Sequence, residues 1–248
     1  MGRAYVLPMF IRALLFLAFS AVPATAADCV VLLHGLARGP NSLLLIDYAL
    51  TQRGYRVINA GYPSTAADLP ELVTHVEIAV ARCGPGEVDF VTHSMGGLLL
   101  RLWAGDNPDR VGRAVMLAPP NKGSEIVDLF GDQAWFAWLN GPAGVRLGTG
   151  PEDAPATLPP VRFDLGVIAG SGTINPLTSA LVAGRDDGKV SVEATKVEGM
   201  AAHLTLPVTH TYMMNDPRVI RQVLAFLDEG RFAQDLGWGA SLRDLIGR

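Results

Sequence analysis

The stretch Val88-Asp-Phe-Val-Thr-His-Ser94-Met-Gly-Gly-Leu-Leu-Leu100 constrains the fold more than any other part of the chain. Val88 to Thr92 is an apolar, β-branched run that reads as a buried strand, and Met95 to Trp103 reads as a helix. Between them lies one serine, with no room for a turn. A strand that passes into a helix at a single residue forces that residue into strained φ/ψ and lifts its side chain clear of the sheet. Strand and helix then pack closely and need small neighbours, and Gly96 supplies one two residues after Ser94. Thr92 stands where the G-x-S-x-G pattern has its first glycine, so the match is incomplete. The competing reading is an ordinary helix start with Ser94 as its N-cap. His34-Gly35 and a late Asp/His pair, placed where the sharp turn would need them, favour the turn.

The rest of the chain alternates strands with helices. Cys29 to Leu33 is a fully apolar strand ending at His34-Gly35-Leu36, and Asn41-Ser42 can cap a helix from Leu43 to Arg53 that Gly54 ends. Tyr55 to Asn59 is the next strand, and Leu69 to Arg82 has helical apolar spacing. After the Ser94 helix, Val111 to Leu117, Leu165 to Ala169 and Ala202 to Val208 read as strands, and Asn215-Asp216-Pro217 caps a last amphipathic helix. From 125 to 160 the alternation lapses into an aromatic stretch with Trp135, Phe136 and Trp138, readable as a surface excursion or as a lid over an apolar pocket. Alternating elements predict an α/β fold with a mostly parallel central sheet covered on both faces, with ligands at the C-terminal edge of its strands.

The N-terminus follows another logic. Arg3 and Arg12, an apolar run from Ala13 to Val22, and Pro23-Ala-Thr-Ala26-Ala27 have the order of a signal peptide cleaved after Ala26. An uncleaved anchor is the alternative, although the run is short for a membrane span. Expected domains are therefore a leader over 1–26, a single domain over 27–232 containing the 125–160 insertion, and a tail over 233–248. Export to a periplasmic or extracellular space favours a disulfide over a metal or redox role for the two cysteines, Cys29 and Cys83. A net charge of −4 without a basic run excludes a nucleic-acid partner by charge. With 49% apolar and 18% charged residues, the composition suits a large core and an apolar site.

Ser94, His34-Gly35, Asp187 and His210 all fall just after strands and would gather on one sheet edge. A serine hydroxyl is a weak nucleophile at neutral pH and needs a neighbouring base; histidine titrates near the working pH, and a carboxylate can fix its tautomer. Asp186 adjoins Asp187 and rivals it for the acid. His203 rivals His210 but falls at the start of its strand, on the wrong edge. His34 and His93 flank the site where histidines commonly bond backbone, and His75 falls in a helix.

From Cys29 to Phe232 the chain resembles an α/β-hydrolase, closest to bacterial lipases and secreted esterases. The residues that carry the resemblance are Val30-Val-Leu-Leu-His34-Gly35-Leu36, Thr92-His-Ser94-Met95-Gly96-Gly97, Asp186-Asp187-Gly188-Lys-Val190 and Pro207-Val-Thr-His210. The resemblance implies Ser94 as nucleophile, Asp187 as acid, His210 as base, and the backbone amides of Leu36 and Met95 as the oxyanion hole. Its Asp-Gly dipeptide selects Asp187 over Asp186. The implied reaction is hydrolysis of carboxylic esters, of small molecules or lipids, through an acyl-enzyme, with no cofactor and no metal. Thioesterase or acyltransferase chemistry uses the same set, and a catalytically silent fold used for binding is a further alternative. A monomer with transient lipid-interface contact is expected. In the sheet the resemblance suggests, Cys29 and Cys83 precede neighbouring strands at the edge opposite Ser94, within disulfide reach of each other.

Overall fold

Six short runs bounded by turn-forming residues become strands, and the four inner ones are buried almost throughout by the helices between them, while the two outer ones stay partly exposed. The computed structural model describes residues 29–174, 176–234 and 237–246. The expected leader over 1–26 lies outside them. The strands are β1 (Cys29–Leu33), β2 (Arg56–Ala60), β3 (Val88–His93), β4 (Val111–Leu117), β5 (Asp164–Gly170) and β6 (Ala202–Leu206). The helices are α1 (Leu44–Gln52), α2 (Leu69–Cys83), α3 (Met95–Asp106), α4 (Glu125–Phe130), α5 (Ala134–Gly144), α6 (Ala154–Thr157), α7 (Pro176–Ser179), α8 (Pro217–Glu229) and α9 (Trp238–Ile246).

The strands form one parallel sheet in the order β2-β1-β3-β4-β5-β6. The chain starts at β1, moves outward to β2, then crosses back to β3, with Val30 paired to Asp89 and Leu33 to Thr92. That reversal makes the C-terminal ends of β1 and β3 the switch point, where crossovers leave in opposite directions and open a crevice.

Alternation along β1 assigns its side chains to two cores. Val31 and Leu33 join the layer containing Leu72 and Val76 of α2 and Leu98 and Leu99 of α3. Val30 and Leu32 join Ile46 and Leu50 of α1 and Val219, Val223 and Phe226 of α8. Six residues of β3 and five of β1 are buried without exception, so both strands are central and rigid.

Local signals place most helix ends. Asp68 accepts the amide of Glu71 at the start of α2, and Asp216 accepts that of Arg218 at the start of α8, as Pro217 at the first position requires. The first helix departs from expectation. Asn41 and Ser42 do not cap it; a 3₁₀ turn over Pro40–Leu43 precedes α1, and the Ser42 hydroxyl donates to Gly39 O at 2.7 Å. Cys83 is the last residue of α2, and its disulfide to Cys29 has a Cα separation of 5.8 Å. The final stretch holds α9, and Gln222 of α8 bonds Ala233 N through Oε1 at 2.7 Å.

Residues 125–160 fold into α4, α5 and α6 above the sheet edge. The buried Arg101 of α3 fastens their far end, donating to Pro159 O at 3.1 Å and Asn121 Oδ1 at 3.3 Å. At the near end Ser124 Oγ donates to Lys189 O at 3.1 Å.

Candidate active site

Among the described residues, three other than glycine have positive φ: Ala37 at 53°, Ser94 at 53° and Ala118 at 45°. They follow β1, β3 and β4, so backbone strain is concentrated at one end of adjacent strands, where strained residues recur at functional sites. Ser94 makes no side-chain cap to α3, which removes the ordinary N-cap reading. Its amide donates to Leu117 O at 2.8 Å, holding the turn against β4.

The geometry depends on close approach. A Cβ on Gly96 would lie 2.5 Å from Leu33 O and 2.9 Å from His34 O, so only glycine lets α3 lean on the end of β1. Thr92 is accommodated because it lies wholly within β3 and faces Gly97, whose missing Cβ leaves it room. The first glycine of the sequence pattern is therefore dispensable here, whereas Gly96 is not.

His210 follows β6 and faces Ser94, with Nε2 3.1 Å from Ser94 Oγ. Its Nδ1 lies 2.8 Å from Asp187 Oδ2, and neither side chain is more than 6% exposed. A carboxylate can only accept, so Nδ1 carries the proton and Nε2 is left to accept from the serine hydroxyl. Asp187 is itself held: Oδ1 accepts the amides of Lys189 at 3.0 Å and Val190 at 2.9 Å, and its carbonyl accepts His210 N at 2.9 Å. Gly170, ending β5, allows this approach, since a Cβ there would lie 2.7 Å from Asp187 Cβ and 2.5 Å from Val208 O.

The rivals go elsewhere. Asp186 accepts from Ser179 Oγ at 2.6 Å and from Gly188 N at 2.7 Å. His203 meets Thr195 Oγ1 at 2.9 Å at the opposite end of β6. His34 donates from Nδ1 to Gly35 O at 2.9 Å and stacks on Tyr62, whose hydroxyl donates to His34 O. His93 donates from Nε2 to His210 O at 3.0 Å, so it braces the backbone that carries the facing imidazole. Burial lowers the pKa of His34 and, more strongly, of His93, where the neighbouring His210 adds to the effect; both rings are held neutral. His75 stays in α2, its ring centroid 6.4 Å from that of Tyr62.

Ser94 and His210 open onto a cavity of about 420 Å³, within the range of small-molecule sites of roughly 300–1,000 Å³. Leu36 enters from the turn after β1, and Ile126, Val127, Phe136 and Leu147 from the 125–160 segment. The aromatic stretch divides. Phe136 is buried and lines the cavity, whereas Trp135 and Trp138 are 53% and 82% exposed and do not line it. Sequence reasoning passed over Arg38 and Lys189, which also line the cavity. It also missed the support from Gly170, for which a glycine ending an apolar strand was the available signal, whereas His93 bonds backbone as expected.

Comparison with known proteins agrees with this architecture. A family model described as alpha/beta hydrolase fold matches residues 28–147. A triacylglycerol lipase of Burkholderia plantarii is 30% identical over 115 residues, covering 42% of this chain and 32% of the relative. One of Vibrio cholerae is 32% identical over 109 residues, covering 40% of this chain and 35% of the relative. The chain thus matches about a third of the length of these curated relatives. The mature lipase BlEst2 of Bacillus licheniformis superposes with a TM-score of 0.64 at 19% identity, over 83% of this chain and 91% of that one. Phospholipase PlaB of Legionella pneumophila superposes with a TM-score of 0.63 at 15% identity, over 88% of this chain and 62% of that one. The parallel sheet, the strained serine at its switch point, the matching family model and the superposed structures together show an α/β-hydrolase fold, in a chain whose curated relatives include bacterial triacylglycerol lipases.

Proposed function

We propose that the protein hydrolyses carboxylic esters through an acyl-enzyme on Ser94. The observation that carries this reading is the continuous hydrogen-bonded series Ser94 Oγ, His210 Nε2, His210 Nδ1 and Asp187 Oδ2, ending on a serine that opens into a largely apolar cavity. In this mechanism Ser94 Oγ attacks the ester carbonyl carbon as its proton passes to His210 Nε2. Asp187 keeps the imidazole oriented and stabilises the imidazolium. The amides of Leu36 and Met95 receive the developing oxyanion; that of Met95 also opens α3, where the helix end favours negative charge. The imidazolium then protonates the leaving alcohol, and water repeats the cycle to release the acid.

An apolar acyl chain suits the wall formed by Leu36, Val127, Phe136 and Leu147. The triacylglycerol lipases among the relatives support an ester substrate. Export belongs to the same reading: the Cys29–Cys83 bridge suits an oxidising compartment.

Two measurements test the proposal: labelling by a fluorophosphonate, and turnover of 4-nitrophenyl esters from acetyl to lauryl. The label should fall on Ser94, and Ser94→Ala and His210→Ala should each reduce turnover by about 10³-fold or more, with the double variant little worse than either. Turnover near wild type in Ser94→Ala would end the proposal.

A further inference from the structure

The cavity wall is not uniformly apolar. Arg38, in the turn after β1, and Lys189, in the loop that carries Asp187, both line it beside Ser94. Among the described residues the sole carboxylate lining the cavity is Asp187, already engaged by His210 and two backbone amides. Neither cation forms an ion pair with a carboxylate among the described residues. Arg38 Nη2 donates to Thr211 O at 3.1 Å, which aims the guanidinium along the loop next to His210.

The two cations feel each other. Desolvation lowers the pKa of both, and Arg38 lowers that of Lys189 further, while Tyr212 raises that of Arg38 and Asp187 that of Lys189. Both also depress His93, whose ring centroid is 4.9 Å from that of His210, so their charges lie close to the reacting groups. Like charges held near one another are unfavourable even where Arg38 is half-buried and Lys189 exposed, and an anion placed between them relieves the repulsion and gains charge-assisted hydrogen bonds. The pair is the more notable on a chain whose net charge is −4.

We propose that the ester taken by this site carries an anionic group, a phosphate or a carboxylate, close to the scissile bond, held by Arg38 and Lys189 while the acyl chain lies against Leu36, Phe136 and Leu147. This inference rests on the ester-hydrolase reading and adds a substrate class to it. A carboxylate or phosphate matches the planar fork of Arg38, and Lys189 adds a point charge. An uncharged glyceride would bring neither cation an anionic group.

Matched substrates test it. A monoacylglycerol is compared with the same acyl chain on glycerol phosphate, and a phenyl ester with its carboxyphenyl counterpart, at low and at high salt. The readout is the ratio of kcat/KM for the anionic over the neutral member within one enzyme, so general damage to catalysis cancels. The wild type should favour at least one anionic member by about tenfold, the gain from one charged hydrogen bond of roughly 1.4 kcal/mol. The ratio should fall towards one in Arg38→Met/Lys189→Met and shrink with added salt. Preference for glycerol phosphate alone points to a phospholipid-like headgroup, and preference for both pairs to any small anion. A wild-type ratio at or below one for both pairs overturns the proposal, as does a ratio that survives the double substitution. An enzyme without any ester turnover refutes the hydrolase reading instead. In that case calorimetric binding of the acyl glycerol phosphate to Ser94→Ala decides: tenfold tighter binding than the monoacylglycerol supports the anion grip, and equal binding overturns it.

Discussion

Removing the Cys29–Cys83 bridge should cost stability without touching the chemistry. The bridge joins the first residue of β1 to the last residue of α2 across 54 residues, enclosing α1, β2 and most of α2. The enclosed β2 is an edge strand, paired on one side alone, to β1. For a closed loop of that size the chain-entropy model gives about 4 kcal/mol of stabilisation at 25 °C. At roughly 2–4 °C per kcal/mol for a domain of 150–250 residues, the melting temperature should fall by about 8–16 °C. Thermal melts followed by circular dichroism on oxidised protein, reduced protein and Cys29→Ala/Cys83→Ala test this. The reduced protein isolates loss of the bridge, while the double variant adds a small void at Cys29, which is 5% exposed. The two should therefore agree within a few degrees, the variant lying lower. Ester turnover at 25 °C should persist in both, because Cys29 starts β1 and the site lies beyond the opposite end. A fall of less than about 3 °C in reduced protein would refute the reasoning, showing that the denatured chain is already confined or that the bridge is strained.

Asp187→Asn should reduce kcat by roughly 10³–10⁴-fold by losing the tautomer that leaves Nε2 free, whereas Asp186→Asn should act mainly on the loop held by Ser179; the reverse ranking in ester assays would exchange their roles. Gly96→Ala places a Cβ 2.5 Å from Leu33 O, so the yield of folded protein and its melting temperature should drop sharply, by the equivalent of about 3 kcal/mol as for severe overpacking; a melt within 2–3 °C of wild type, about 1 kcal/mol or less, would contradict the close approach. Phe136→Ala should shift chain-length preference towards longer acyl groups, and Trp138→Ala should not, because Phe136 alone of the two lines the cavity; identical profiles would remove Phe136 from the acyl wall. His34 and His93 have pKa values below 6.5 in the native state, so in acid the unfolded chain binds protons that the native chain refuses. Their contribution is present above pH 6.5 and lost as pH falls below it. Melting temperature should therefore decline between pH 7.5 and 5, before most carboxylates titrate, and a flat profile would show that these rings become charged without penalty.

Several features were legible in the sequence for local reasons. The run Val88–Thr92 against the helix beginning at Met95 leaves Ser94 no dihedral choice but a strained one, and the fully apolar β1 reads as a strand covered on both faces. The order of apolar runs, turns and caps likewise announced a parallel sheet and the strand ends where Ser94, Asp187 and His210 fall. Periodicity cannot say which of two adjacent carboxylates turns inward. Asp187 faces His210 because the amides of Lys189 and Val190 and the space over Gly170 hold it there, while Asp186 is drawn to Ser179. Nor could composition divide Phe136 from Trp135 and Trp138, because which face of α5 meets the cavity depends on how the 125–160 segment is fastened by Arg101 and Ser124. The placement of Arg38 and Lys189, 151 residues apart in sequence, on the wall of one cavity is of the same kind. Burial pattern and backbone propensity are properties of neighbours along the chain, whereas the direction of a polar side chain at a loop is decided by hydrogen bonds and steric room that exist only after distant strands have been brought side by side.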